Sequence, residues 1–143
     1  MKYENTAALL MSCDGKDGQK PNGCVFIGGN MEFEERPWGK YEVLLDTQNY
    51  KLKRIIVDCG KRLSLQSHGK RDELWTIVGG KGIAEVDGLE IVVHYGDTID
   101  IRRGQKHRMM NTGDEPLVYI EVQTGNYFGE DDIIRYQDDF GRK

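Results

Sequence analysis

From Arg36 onward, apolar and polar positions alternate in short runs bounded by glycine, asparagine or aspartate. "WGKYEVLLD" and "LKRIIVD" open the pattern, and "LSLQSH", "ELWTIV", "GIAEV", "LEIVVH", "DTIDI", "HRMMN" and "LVYIEVQT" continue it. A period of two, rich in β-branched and aromatic residues, predicts strands. About nine such strands joined by short turns predict an all-β sandwich or barrel. In "EVDGLE", Asp87-Gly88 predicts a two-residue hairpin turn, because both positions need positive φ. The expected exception is the tail "GEDDIIRYQDDF", read as a short C-terminal helix with Glu130, Asp131 and Asp132 at its positive N-terminal end. Residues 1–30, which carry "CDGKDGQKPNG", have turn chemistry and predict an N-terminal extension or arm. Residues 31–143 are expected to form a single domain.

Strand alternation also assigns faces. In "LSLQSHGKRDELW", Ser64, Gln66 and His68 share one face, and Leu63, Leu65 and Ser67 the other. Past the turn "GKRD", Glu73, Trp75 and Ile77 share a face. A hairpin across that turn would gather Gln66, His68 and Glu73. An amide oxygen, an imidazole and a carboxylate suit a divalent first-row metal. The same residues would equally make a polar hairpin at a barrel mouth. The segment "GDTIDIRRGQKHRMMN" tips the balance, since His107 follows a turn at Gly104 and is placed to add a fourth ligand. The third histidine, His94, precedes a glycine turn and is expected at the surface.

Composition narrows the function classes. The 143 residues carry a net charge of −4 with acids and bases interspersed, which argues against nucleic-acid binding. Three separated cysteines, Cys13, Cys24 and Cys59, suggest free thiols in a reducing compartment and exclude a CxxC zinc knuckle. The apolar run "AALLM" is too short for a signal peptide or membrane span, so a soluble, cytoplasmic protein without a membrane partner is expected.

Two spaced segments resemble the cupin pattern. The first runs Gly60, Gln66, His68, Glu73, Gly80; the second runs Gly96, Arg102, Gly104, His107, Asn111. Gln66 stands where a histidine is common, and Arg102 where a proline is common. The resemblance implies a double-stranded β-helix, a jelly-roll barrel with a metal inside. "RPWGKYEVL", "YKLKRIIVDCGKRLSLQSHGKRDELWTIVGG" and "IEVQTGNYFGEDDIIRYQDDFGR" resemble, more narrowly, the type II mannose-6-phosphate isomerases. Those occur alone and as the C-terminal domain of bifunctional mannose-1-phosphate guanylyltransferases. The likeness covers residues 36–142, and glutamine at position 66 is usual in that family. Gly69 and Lys70 replace a histidine-rich turn, and Leu74 replaces a histidine before the tryptophan. Leu74 is expected to leave an apolar outer face with Leu63 and Leu65, which, with cupin habit, suggests a homodimer.

The resemblance implies a metal-dependent aldose–ketose isomerase joining mannose 6-phosphate to fructose 6-phosphate through an enediolate. Gln66, His68, Glu73 and His107 would hold one divalent ion, zinc foremost, with manganese, iron, cobalt and nickel also compatible. A sugar phosphate needs fixed cations. Arg71 is the first choice, supported by its place in the motif, and Lys53, Arg54, Lys106 and Arg108 are further candidates. Only one of Lys53 and Arg54 can face inward. "YIEVQT" puts Tyr119, Glu121 and Gln123 on one face, which makes Glu121 the candidate base, with Arg71 and Lys53 beside it, and Gln123 a substrate contact. Its rival role is a carboxylate paired with a basic neighbour such as Arg54. Two other readings stay open: a different metal-dependent cupin such as an oxygenase, which usually has more histidine ligands, and a non-catalytic sugar-phosphate-binding module. Nucleotidyl transfer is set aside, because no Gly-rich loop precedes a helix.

Overall fold

In a computed structural model, residues 32–143 are described, and they form an almost entirely β structure. The N-terminal extension expected over residues 1–30 lies outside them. Eleven strands follow in order: β1 (Glu32–Arg36), β2 (Gly39–Asp46), β3 (Tyr50–Val57), β4 (Leu65–His68), β5 (Arg71–Gly79), β6 (Gly82–Val86), β7 (Leu89–Val93), β8 (Thr98–Ile101), β9 (His107–Asn111), β10 (Leu117–Gly125) and β11 (Ile133–Gln137). They build two antiparallel sheets, β1-β2-β3-β10-β5-β8 and β11-β4-β9-β6-β7. The predicted β6–β7 hairpin is present, with Asp87 at φ 49° and Gly88 at φ 81°.

The two sheets face each other across a shared interior, and alternation fills it. β3 points Lys53, Ile55 and Val57 inward; β5 points Arg71, Glu73, Trp75 and Ile77; β10 points Leu117, Tyr119, Glu121 and Gln123. From the opposite sheet β9 contributes His107, Met109 and Asn111. The apolar members, with Trp38, Ala84, Val93, Ile99 and Ile101, make one continuous core. Each buried valine, leucine, isoleucine or methionine among them, taken fully from water, contributes about 1.5–3 kcal/mol. Asn111 ties the sheets together: its Nδ2 donates to the Val57 carbonyl at 2.9 Å and the Glu115 carbonyl at 2.8 Å. The polar inward residues gather at the other end.

Two expectations about local structure are overturned. The tail is not a helix: only a single 3-10 turn, Glu130–Asp132, forms before the chain continues as β11. Ile133 to Tyr136 alternate in burial as a strand does, and β11 pairs with β4, which a helix would have left as an edge. The acids of the turn find partners other than a helix dipole. Asp132 accepts the backbone N–H of Gly69 at 3.3 Å and of Lys70 at 3.0 Å.

The "GKRD" turn does not close a hairpin either. β4 pairs with β11 and β9, while β5 pairs with β10 and β8, so the turn carries the chain from one sheet to the other. The outer apolar face expected from Leu63, Leu65 and Leu74 is therefore not assembled. Leu63 packs on the core, Leu65 belongs to the five-stranded sheet, and Leu74 stands on the six-stranded sheet with Val78. That argument for a dimer falls away. Among the described residues, no helix is long and apolar enough to cross a membrane.

Candidate metal centre

The crossing from β4 to β5 sets the site. His68 ends β4 on one sheet, Glu73 lies one turn later on the other, and both point inward from facing walls. His107 opens β9, directly opposite Gln66 in the β4–β9 register. His68, Glu73 and His107 are 1–3% exposed, and each offers a ligand atom within 4.8 Å of the others. Glu73 Oε1 is 2.9 Å from His68 Nε2, and Glu73 Oε2 is 3.5 Å from His107 Nε2. The two imidazole rings are tilted, with centroids 4.9 Å apart.

The donor chemistry suits a metal. His107 Nδ1 sits 2.9 Å from the Gln105 carbonyl, which holds the proton on that nitrogen and leaves the Nε2 lone pair facing Glu73. Burial lowers the His107 pKa against the pull of Glu73, so the ring stays neutral, as a ligand must. His68 Nε2 lies against Glu73, whereas His68 Nδ1 and His107 Nε2 are buried without a hydrogen-bond partner. Such orphaned atoms are costly to bury. Burial alone would raise the Glu73 pKa; the hydrogen bond with the close His68 ring, helped by the Arg71 charge, outweighs it, and the carboxylate is held well below its usual range. Gln66 lines a cavity together with Glu73, its Oε1 accepting the Ser64 hydroxyl at 3.1 Å. These residues fit a divalent ion held by nitrogen and oxygen.

A second carboxyl stands beside this cluster. Glu121 is 6% exposed. Trp75 Nε1 donates to both acids, at 3.1 Å to Glu73 Oε2 and 3.1 Å to Glu121 Oε2. Gln123 Nε2 does the same, at 3.1 Å to Glu73 Oε1 and 2.7 Å to Glu121 Oε1. Burial, then the neighbouring Glu73 charge, push the Glu121 pKa up to about 8 against the influence of Lys53 and Arg71. The two carboxyls thus share their neutral donors and differ in charge, a pattern frequent where acid–base work is done.

The candidate cations separate sharply. Lys53 faces inward and is buried, its ammonium 4.5 Å from the Tyr41 ring centre and 3.5 Å from Glu130. Arg71 is buried, donating from Nη1 to the Gly129 carbonyl at 3.1 Å and lying 3.5 Å from Glu73. Arg54 points to the outer face, paired with Glu42 at 2.6 Å, so it neither reaches the cavity nor partners Glu121. Arg108 is likewise turned outward onto Glu85 at 2.6 Å, because its neighbour His107 takes the inner face. Lys106 covers the Tyr136 ring at 4.2 Å, outside the cavity. Three arginines that strand alternation did not single out do line it: Arg36, Arg135 and Arg142. Arg135 lies in the tail segment where a helix was expected, and Arg142 just beyond it. Trp38 and Tyr41 complete that wall. His94 is exposed, as expected.

Comparison with known proteins agrees with this architecture. A double-stranded β-helix protein from Klebsiella pneumoniae superposes with a TM-score of 0.61 at 21% identity, covering 68% of this chain and 83% of its own. The capsular polysaccharide assembling protein CapF of Staphylococcus aureus gives a TM-score of 0.68 at 19% identity, over 76% of this chain and 34% of that one. At these identities the likeness is one of fold. Sequence relatives are closer. A mannose-1-phosphate guanylyltransferase of Klebsiella pneumoniae is 39% identical over 107 residues, 75% of this chain and 23% of the relative. The xanthan biosynthesis protein XanB of Xanthomonas campestris is 44% identical over 109 residues, again 75% and 23%. The chain thus spans about a quarter of the length of these relatives. The model of one family, "Mannose-6-phosphate isomerase C-terminal", matches residues 31–138. With its cupin barrel and that match over most of its length, the chain belongs to the mannose-6-phosphate isomerase C-terminal family.

Proposed function

We propose that this domain interconverts mannose 6-phosphate and fructose 6-phosphate, with one divalent ion held by Gln66, His68, Glu73 and His107. Zinc fits the donor set first; manganese, iron, cobalt and nickel fit it as well. Bound there, the ion supplies Lewis acidity toward the sugar oxygens. The observation that carries the reading is the His68–Glu73–His107 cluster, with its unpartnered imidazole nitrogens, whose Glu73 lines a cavity walled by cations.

The chain's own residues would divide the remaining work. Glu121, with a pKa near 8, can take a proton from the carbon beside the carbonyl and return it to the neighbouring carbon. Trp75 and Gln123 fix that carboxyl in place through their donated N–H groups. Arg71 and Lys53 keep positive charge close to both acids, which favours the ionised form of Glu121 when it acts as base. Arg36, Arg135 and Arg142 line the cavity and would offer charge to an anionic substituent of the sugar, and Gln123 lines it too. Trp38 and Tyr41 form the apolar part of the wall.

A coupled assay tests the reading: metal-loaded protein is expected to form fructose 6-phosphate from mannose 6-phosphate. Metal-loaded protein that binds the sugar phosphate without turning it over would instead identify a binding module.

A further inference from the structure

The cavity is lined by Arg36, Lys53, Arg71, Arg135 and Arg142, yet one acid on its rim faces a cation directly. Glu130 Oε1 lies 3.5 Å from Lys53 Nζ. The two partners differ in their surroundings: the Lys53 side chain is 7% exposed and that of Glu130 is 48% exposed. Lys53 has no other carboxylate within 4.0 Å among the described residues. The Glu130 carboxylate accepts no hydrogen bond from any described residue, whereas its neighbour Asp132 is fixed by two backbone donors. The turn that carries Glu130 is thus anchored while the Glu130 side chain itself is held by one contact. Nearby, the Nε of Arg135 is buried without a partner.

We propose that Glu130 is a built-in counter-ion which occupies, on Lys53, the place of the substrate's anionic group and tunes its affinity. This rests on the reading of the cavity as a sugar-phosphate site. A buried ammonium needs a counter-charge, and an unpaired one is penalised by desolvation. Glu130 meets that need while the cavity holds no ligand. A half-exposed carboxylate with a single contact is readily exchanged, because such pairs are weak. An entering phosphate replaces one carboxylate charge with up to two and adds oxygens that reach Arg135. A neutral sugar of the same shape would have to compete with Glu130 and offer Lys53 no charge in return. Lys53 thus carries the preference for phosphorylated sugars, and Glu130 weakens every anion by the strength of the contact that must be displaced.

The test measures binding of inorganic phosphate and of mannose 6-phosphate by calorimetry to the metal-loaded protein, without reference to turnover. Glu130→Gln, a change at an exposed position, is expected to tighten phosphate about three- to five-fold, the release of one weak ion pair. Lys53→Met is expected to weaken phosphate by about ten-fold or more and to abolish the effect of Glu130→Gln in the double variant. Where isomerisation is present, Glu130→Gln should lower KM and leave kcat unchanged. Phosphate affinity that is unchanged or weakened in Glu130→Gln would overturn the proposal, as would a loss of kcat at constant KM. Phosphate binding that follows these expectations in a protein without isomerase activity would sink only the underlying reading of catalysis.

Discussion

The two ends of the barrel are made by the same strands and obey opposite rules. At one end β3, β5 and β10 present Ile55, Val57, Trp75, Ile77, Leu117 and Tyr119, all 0–3% exposed. A few residues along the same strands, they present Lys53, Arg71, Glu73, Glu121 and Gln123, which are 1–6% exposed. The apolar end is close-packed, and the Asn111 amide there spends both its N–H groups on carbonyls. The polar end buries charges and leaves His68, His107 and Arg71 with unpartnered nitrogens. Burying charge without partners destabilises a fold. The polar end is therefore held in place by the apolar end.

Variants at the two ends should differ in kind. The largest effect expected is from His107→Ala, which should release the metal and bring isomerase activity to background, a loss well beyond the 10–100-fold typical of a ligand's outer partner (about two orders of magnitude at most). Circular dichroism should show the fold retained, since one orphaned nitrogen is removed along with the ring. Glu121→Gln keeps the shape and the Trp75 contact and removes the proton-transfer group. Turnover should fall by about 10²–10⁴-fold with metal content unchanged; an equal loss of metal would mean that Glu121 is a ligand rather than a base.

At the other end, Ile77→Ala should destabilise the fold by about 2–5 kcal/mol, read by denaturant unfolding, while folded protein keeps its metal and its KM. A change in metal affinity would show the two ends to be less separate than their composition indicates.

A smaller effect comes from pH. In metal-free protein, Glu121 holds its proton to about 8 when folded and ionises in the usual carboxylate range when unfolded. The folded state then binds more protons between those limits, so this group's contribution is full at the acid side and lost as pH rises through about 8. Glu73 acts in the opposite sense: its folded pKa is depressed, so its contribution is present above the usual range and lost as pH falls below it. The melting temperature of metal-free protein should therefore decline from about pH 5 to about pH 8, and Glu121→Gln should flatten that decline. The smallest effect is at Arg54→Ala, on the outer face, where the loss of its pair with Glu42 should cost about 1 kcal/mol or less and leave turnover unaltered.

The fold was legible because it rests on alternation, which one sequence displays fully. The inward set Tyr119, Glu121 and Gln123 and the pair Glu73 and Trp75 follow from period two alone. Which sheet a strand joins is not a local property. The turn "GKRD" looks like a hairpin because it is short and polar, yet it bridges two sheets, since β4 pairs with β11 and β5 with β10. The tail failed for a related reason: an acidic start and an apolar pair suit a helix, but β4 needed a neighbour. Missing that strand hid Arg135, and Arg142 beyond it, which enter the cavity only once the tail lies along β4. Their signal was present as the alternation of Ile133, Ile134, Arg135 and Tyr136. Arg54 and Arg108 were drawn in by charge, although the inward Lys53 and His107 beside them already fixed their outward direction.

The central claim is that facing walls of one barrel close on a metal through His68, Glu73 and His107. Elemental analysis of the purified protein beside its His107→Ala variant tests it most directly. The account predicts one divalent ion per chain in the parent protein and almost none in the variant. Parent protein that turns over mannose 6-phosphate without any metal, or a His107→Ala variant that keeps a full complement of it, would contradict the account.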